Sequence, residues 1–197
     1  MVLALPRGGV PVGFEIAREL RAPLDLILVR KIGAPDQPEL ALGAVADGES
    51  PELVVDERLV AALGVTGDYL ADAKAAALAE LERRRSAYLR DRPSVPVEGK
   101  PVIVVDDGIA TGATMLTALR ATRLRRPSHL VLAVPVAPTE TIERLRTAAD
   151  EVVCLNMPAE FLAVGQFYRA FPQLSDDEVI SLLDQSGAVA GEAAAKP

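Results

Sequence analysis

Residues 102–114 of this 197-residue chain read Val-Ile-Val-Val-Asp-Asp-Gly-Ile-Ala-Thr-Gly-Ala-Thr. Four apolar residues, Val102 to Val105, predict a buried strand that ends on two adjacent carboxylates, Asp106 and Asp107. A short turn then sets Thr111, Gly112, Ala113 and Thr114 where a helix begins. In open α/β sheets ligands bind beyond the carboxyl ends of the strands. A helix N-terminus with free N–H groups and small hydroxyl side chains suits a phosphate. This loop therefore offers acceptors for sugar hydroxyls beside donors for a phosphate, and its chemistry is that of a sugar-phosphate site. An Asp pair at a strand end also occurs in the phospho-acceptor pocket of receiver domains, or as a solvated turn. A receiver would need acidic residues after the first strand, where this chain has Pro6-Arg7.

Further segments carry charge or backbone donors suited to an anion. Leu5-Pro6-Arg7-Gly8-Gly9 follows the first apolar run, and Arg30-Lys31 follows the second. Arg83, Arg84 and Arg85 form the densest positive cluster, on a long helical stretch. That cluster reads either as a solvated helix face or as part of a lid whose arginines reach an anion. Four of the seven aromatic residues, Phe161, Phe167, Tyr168 and Phe171, crowd one short irregular stretch.

The elements that must position these residues alternate. Val2 to Leu5 and Leu24 to Val29 read as strands, separated by a helix with Gly13, Ile16, Ala17 and Leu20 on one face. After the strand at Val102 come a helix over Met115 to Leu124, a strand over Leu130 to Val136, and a helix that Thr139 can cap. That helix aligns Ile142, Leu145 and Ala149, and a strand over Glu151 to Leu155 closes the series. Strands alternating with helices imply right-handed crossovers and a parallel sheet covered on both faces.

Two regions leave that rhythm. Asp68 to Arg90 predicts a long helix with Leu70, Ala73, Ala77, Leu81 and Tyr88 on one stripe, stopped by Pro93. It belongs to an insertion over about residues 48–98. Pro158 to Leu183 ends in a helix opened by the capping box Ser175-x-x-Glu178. Residues 1–185 are expected to be one domain and residues 186–197 a frayed, flexible tail.

Hydrophobic residues make up 50% of the chain and aromatics 4%, a balance suited to sheet-and-helix packing. The net charge of −7 speaks against coating nucleic acid or anionic membrane. One cysteine, Cys154, excludes an intramolecular disulfide, and with the single His129 it makes a zinc site improbable. Cys154 reads as core and His129 as a strand-entry residue. No apolar stretch reaches membrane-spanning length, and no basic start precedes an export segment, so a cytoplasmic location is expected.

The Asp-Asp-x-x-x-Thr-Gly-x-Thr pattern resembles the binding motif of type I phosphoribosyltransferases. Leu5-Pro6-Arg7-Gly8-Gly9 looks like that family's pyrophosphate loop, and Arg30-Lys31 like the basic pair before its flexible catalytic loop. Together with Arg-Lys-Ile-Gly-Ala-Pro and Ala-Val-Gly-Gln-Phe-Tyr, these segments resemble a bacterial subgroup of phosphoribosyltransferases of unassigned substrate. The resemblance implies a Rossmann-like parallel sheet flanked by helices, with a helical insertion and a small C-terminal hood over about residues 156–185. It implies transfer of 5-phosphoribosyl from phosphoribosyl pyrophosphate to a nucleobase-like nitrogen acceptor, with pyrophosphate released. Mg²⁺ would act through ligand and water oxygens, without direct protein ligands.

In that reading the phosphoribosyl loop comprises Asp106, Asp107, Gly108, Ile109, Ala110, Thr111, Gly112, Ala113 and Thr114. The pyrophosphate falls to Arg7, the Gly8 and Gly9 amides, Arg30, Lys31, Arg83 and Arg84. Asp106, Asp107, Arg30 and Lys31 carry the catalytic charge, and Phe167 or Tyr168 stacks on the acceptor while other rings form the hood's own core. A non-proline cis peptide at Pro6–Arg7 and a homodimer are further implications. Family members usually carry a helix before the first strand; here that strand starts at Val2, which reads either as a miscalled or shortened start or as a hood completed differently. The rival reading is a sensing regulator that keeps the ligand site without chemistry. An acidic chain with no added DNA-binding module argues against it.

Overall fold

The computed structural model describes residues 1–47, 52–90, 92 and 95–194. Five strands form one parallel sheet: β1 (Val2–Ala4), β2 (Leu24–Leu26), β6 (Pro101–Val105), β7 (His129–Val136) and β8 (Glu151–Asn156). Their spatial order is β2-β1-β6-β7-β8. The chain therefore builds outward from β1 in one direction through α1 (Gly9–Leu20), then returns to β6 and builds in the other. The reversal lies between β1 and β6, where Val2, Leu3 and Ala4 pair with Ile103, Val104 and Val105. The connections leaving these two strands diverge to opposite sides and leave a crevice between them, the usual ligand position in such sheets.

Both sheet faces are covered, which is why the strands read as continuous apolar runs. On one face Val2, Ala4 and Val105 pack with Val10, Phe14 and Ala17 of α1, with Ala77, Leu81 and Tyr88 of α3 (Gly67–Leu89), and with Val179 and Leu183 of α6 (Asp176–Ala194). On the other, Leu3, Val102, Val104 and Leu132 pack with Met115 and Leu119 of α4 (Ala113–Leu124) and with Ile142 and Leu145 of α5 (Thr139–Leu145). Among the described residues no helix is long and apolar enough to cross a membrane.

The expected strand from Leu24 to Val29 divides in two. β2 stops at Leu26 because β1 offers only three residues to pair with. The chain then turns on Asp47, whose carboxylate accepts the Leu28 N–H at 2.7 Å while its own N–H donates to the Leu28 carbonyl at 2.9 Å. Val29 opens a second, antiparallel sheet of β3 (Val29–Ala34), β4 (Gln37–Ala46) and β5 (Glu52–Val55). Departure from α/β alternation thus begins at Val29 and in strands, not as a helical insertion near residue 48. Alternation in Leu40-Ala41-Leu42-Gly43-Ala44-Val45 is weak because small residues fill both faces, so periodicity alone misses β4. After β5 comes α2 (Glu57–Ala62), capped by Asp56, whose carboxylate accepts the Arg58 and Leu59 N–H groups.

Other local expectations shift. The buried face of α1 is Val10, Gly13, Phe14 and Ala17, spaced i, i+3, i+4 and i+7, and Leu20 is exposed at the helix end. Pro138, not Thr139, is the N-cap of α5, and Thr139 is its first helical residue. α5 closes at Leu145, so Ala149 packs on the core from beyond the helix. The capping box of α6 forms: Ser175 N–H donates to Glu178 at 2.8 Å and Glu178 N–H donates to the Ser175 hydroxyl at 3.2 Å. α6 continues past Ser186, where a frayed tail is expected, to Ala194; its alanine-rich end has high intrinsic helix propensity. α3 ends at Leu89, and Pro93 lies outside the described residues. Cys154 is only half-buried because β8 is an edge strand, and His129 is an exposed strand-entry residue beside Asp150 and Glu151.

Candidate functional site

At the crevice the loop after β1 lies against the loop after β6. A Cβ on Gly9 would stand 2.7 Å from the Val105 carbonyl oxygen and 2.9 Å from the Asp106 Cα. One on Gly8 would stand 1.8 Å from an Asp107 carboxylate oxygen. Two glycines in succession are thus what lets the Arg7 loop reach the acidic pair. The Pro6–Arg7 peptide is cis. The Gly9 N–H donates to the Leu5 carbonyl at 2.9 Å, which leaves Gly9 a spacing role rather than that of a ligand donor.

Asp106 and Asp107 leave the end of β6 as neighbours, and the Asp107 N–H donates to the Asp106 carboxylate at 2.9 Å. Burial, and then the adjacent Asp107 charge, push the Asp106 carboxyl up from 3.8 to about 8. Asp107 is raised too, by burial. Two carboxyls this close titrate as a pair and retain a proton well above the ordinary carboxylate range.

The turn beyond them is held from behind. Ile109 is buried, and its N–H donates to the Val136 carbonyl at 3.0 Å, so it anchors the loop instead of facing a ligand. The Thr141 hydroxyl donates to the Ala110 carbonyl at 2.8 Å, and the Arg144 guanidinium donates to the Thr111 carbonyl. Gly112 adopts φ +74° and opens α4, while Thr111, Ala113 and Thr114 stay exposed. With its carbonyls tied to α5, the turn presents the first N–H groups of α4 outward. Thr141 and Arg144 carry no motif in the sequence; only the packing of α5 reveals them. Thr141→Val is expected to remove the bond that ties the Ala110 carbonyl to α5, costing about 0.5–1.5 kcal/mol. A lower unfolding temperature in calorimetry would show it, and an unchanged one would deny the buttress.

Arg30 and Lys31 lie inside β3, not in a loop after the second strand, and successive strand residues face opposite ways. Arg30 turns to α3, its guanidinium 3.7 Å from Glu80. Lys31 lines a cleft of about 1140 Å³ between the second sheet and α4, together with Thr111 and Thr114. The basic pair is therefore split, Lys31 towards this cleft and Arg30 towards Glu80 of α3. Arg83 and Arg84 line a separate pocket of about 300 Å³ with Pro6, Arg7, Tyr88 and Asp176. This brings the helix cluster to the β1 loop, while Arg85 turns away to pair with Asp47. Among the described residues no group of three or more His, Cys, Asp or Glu side chains is arranged to hold a metal ion.

The aromatic stretch closes over the other side of the acidic pair. The Tyr168 hydroxyl donates to the Asp107 carbonyl at 2.5 Å, and a Cβ on Gly108 would meet Val164 at 2.6 Å. Phe161 stacks on Phe167 with centroids 5.5 Å apart, and Tyr168 packs on Phe171 at 5.0 Å. Each ring is already paired with another, though none of the four is buried and Phe171 is 48% exposed.

The chain matches the family model described as "Phosphoribosyl transferase domain" over residues 1–171. It belongs to that family. Two Mycobacterium tuberculosis proteins, "Putative phosphoribosyl transferase MT0597" and "Putative phosphoribosyl transferase Rv0571c", are 47% identical to this phosphoribosyl transferase domain over 186 residues. The alignment covers 94% of this chain and 42% of each relative, so the chain spans less than half of their length. Among solved structures, TT1426 from Thermus thermophilus is 44% identical with a TM-score of 0.82, covering 93% of this chain and 86% of that one. The fold of this phosphoribosyl transferase domain is thus shared by a relative close in sequence.

Proposed function

We propose that this domain transfers a 5-phosphoribosyl group from phosphoribosyl pyrophosphate to a nitrogen of a nucleobase-like acceptor. The observation that carries the reading is the meeting of three loops at the sheet's reversal point: the Arg7 loop, the acidic pair and the Thr111–Thr114 turn. In the reaction the C1–oxygen bond to pyrophosphate breaks and a nitrogen–C1 bond forms on the opposite face. The acceptor nitrogen gives up a proton and pyrophosphate leaves.

Each group then has a task suited to its place. The exposed N–H groups and hydroxyls of Thr111, Ala113 and Thr114 hold the 5-phosphate. Asp106 and Asp107 accept from the ribose hydroxyls and favour the cationic ring that develops as the leaving bond stretches. Arg7, Arg83, Arg84 and Arg30 take the charge that builds on pyrophosphate, and Lys31 faces the phosphate turn. Gly108 and the Val164–Tyr168 segment shield the acceptor side from water. With Phe167 and Tyr168 paired to other rings, a stacked acceptor would lie on an outer ring face.

Asp106 and Asp107, beside a polyanion subsite, fit Mg²⁺ held through water and ligand oxygens rather than as its direct ligands. When bound, Mg²⁺ would neutralise charge on the departing pyrophosphate. Incubation with labelled phosphoribosyl pyrophosphate, Mg²⁺ and a panel of nitrogen heterocycles is expected to yield pyrophosphate and a ribosylated product. Tight binding without turnover across the panel would favour a sensor over an enzyme.

A further inference from the structure

We infer that Glu80 is a positioning residue for the pyrophosphate subsite, fixing Arg83 and Arg84 in the wall that faces Arg7 and drawing Arg30 of β3 in behind them. The inference rests on the functional reading above and extends it to a side chain outside the pocket lining.

Glu80 meets Arg83 through both carboxylate oxygens, accepting from Nε at 2.8 Å and Nη2 at 2.9 Å. The Arg84 Nε donates to it at 2.9 Å. Arg30, from β3, brings its guanidinium within 3.7 Å of the same carboxylate. The hydrogen bonds from Arg83 and Arg84 hold the Glu80 carboxyl down at about 2, so it stays ionised throughout the neutral range. Ion pairs at i, i+3 and i, i+4 are common on solvated helices and are worth little there. Two facts set this one apart. Arg30 comes from β3 rather than from the same helix, and Arg83 and Arg84 line the pocket of about 300 Å³ that Arg7 enters.

Three like charges do not gather unaided, and a free arginine samples many rotamers. One carboxylate removes both obstacles. A guanidinium carries five N–H donors, and the bonds to Glu80 take two from Arg83 and one from Arg84, leaving others for a ligand. The opposite wall repeats the device: Asp176 accepts from the Tyr88 hydroxyl at 2.7 Å and lies 3.7 Å from the Arg7 guanidinium. Three guanidiniums, Arg7, Arg83 and Arg84, against the one carboxylate of Asp176 leave the pocket lining net positive, fit for a diphosphate.

Removing Glu80 has two opposing effects. It frees the arginines, which weakens binding, and it deletes a negative charge, which strengthens it. The exposed setting screens the charge effect, whereas ordering long side chains is a cost borne at every salt concentration. Glu80→Gln keeps the shape and loses the charge. We expect its Kd for diphosphate, by isothermal titration at about 0.15 M salt, to rise about tenfold, and its KM for phosphoribosyl pyrophosphate to rise equally with kcat nearly unchanged. Circular dichroism and thermal unfolding should match the parent, separating a lost wall from a lost helix. Equal or tighter diphosphate binding by Glu80→Gln, while the parent binds it, would overturn the role of Glu80 and leave the subsite intact. Failure of the parent itself to bind diphosphate or phosphoribosyl pyrophosphate would overturn the functional reading beneath it.

Discussion

Replacing Asp106 and Asp107 together by asparagine is expected to lower kcat/KM for phosphoribosyl transfer by on the order of a thousandfold. Asparagine keeps the shape of each side chain, and an amide oxygen at position 106 can still accept the Asp107 N–H. What disappears is negative charge beside a ring that becomes cationic in the transition state. Turnover within a few-fold of the parent would remove the pair from the chemistry. The pair also predicts a pH dependence. Burial and the neighbouring charge raise Asp106 to about 8, so the free enzyme must lose a proton well above the ordinary carboxylate range to present two charges. The acid limb of kcat/KM is expected in that higher range, and Asp106→Asn is expected to displace it.

Stability carries the opposite sign. Because the folded carboxyl of Asp106 holds its proton more tightly than the unfolded one, its stabilising contribution is complete below the unfolded value near 3.8. It is lost as pH rises towards about 8. Asp106→Asn should therefore unfold at a higher temperature than the parent at about pH 8, with the advantage shrinking towards about pH 4. A site that is more stable without its acid is what the stability–activity trade-off leads one to expect. A parent that grows steadily more stable relative to the variant as pH rises across that window would contradict the assigned direction.

The second large effect belongs to the paired glycines. Gly9→Ala places a Cβ against backbone atoms, 2.7 Å from the Val105 oxygen and 2.9 Å from the Asp106 Cα, which no rotamer change can relieve. Overpacking of this kind costs about 1–3 kcal/mol, or about 2–4 °C of unfolding temperature per kcal/mol for a chain of this size. The Arg7 loop must move away from the acidic pair, and a displacement of about 1 Å can cost about a hundredfold in rate. Gly8→Ala meets a side chain instead, the Asp107 carboxylate at 1.8 Å. That carboxylate can rotate aside, so Gly8→Ala should lose activity with little loss of stability. Gly67→Ala, with nothing within 4 Å of its Cβ, serves as the control. Kinetics and calorimetry on the three variants decide it: full activity in Gly9→Ala would mean the two loops are not one site.

The parallel sheet, the loop after β6 and the Arg7-Gly8-Gly9 turn could all be read from residue order. All three depend on interactions between residues close in the chain: a buried apolar run, a turn that only small residues tolerate, a helix start with free N–H groups. Strand register and order follow from packing over long separations, yet the alternation of elements leaves few arrangements open. The second sheet was not legible, because β4 is built largely of small residues with no clear period. Splitting Arg30 from Lys31 followed from that sheet, since a strand sends neighbours to opposite faces. Gly9 and Ile109 lost their expected roles as ligand donors because their N–H groups bond to Leu5 and Val136. Thr141, Arg144, Tyr88 and Asp176 act from distant elements, and their residue types are ordinary in isolation. Even Glu80, legible as a helix ion-pair partner, acquired its third arginine only when β3 was folded against α3. Local chemistry is written in neighbouring residues; how charges from remote elements are brought together is decided by the core that packs beneath them.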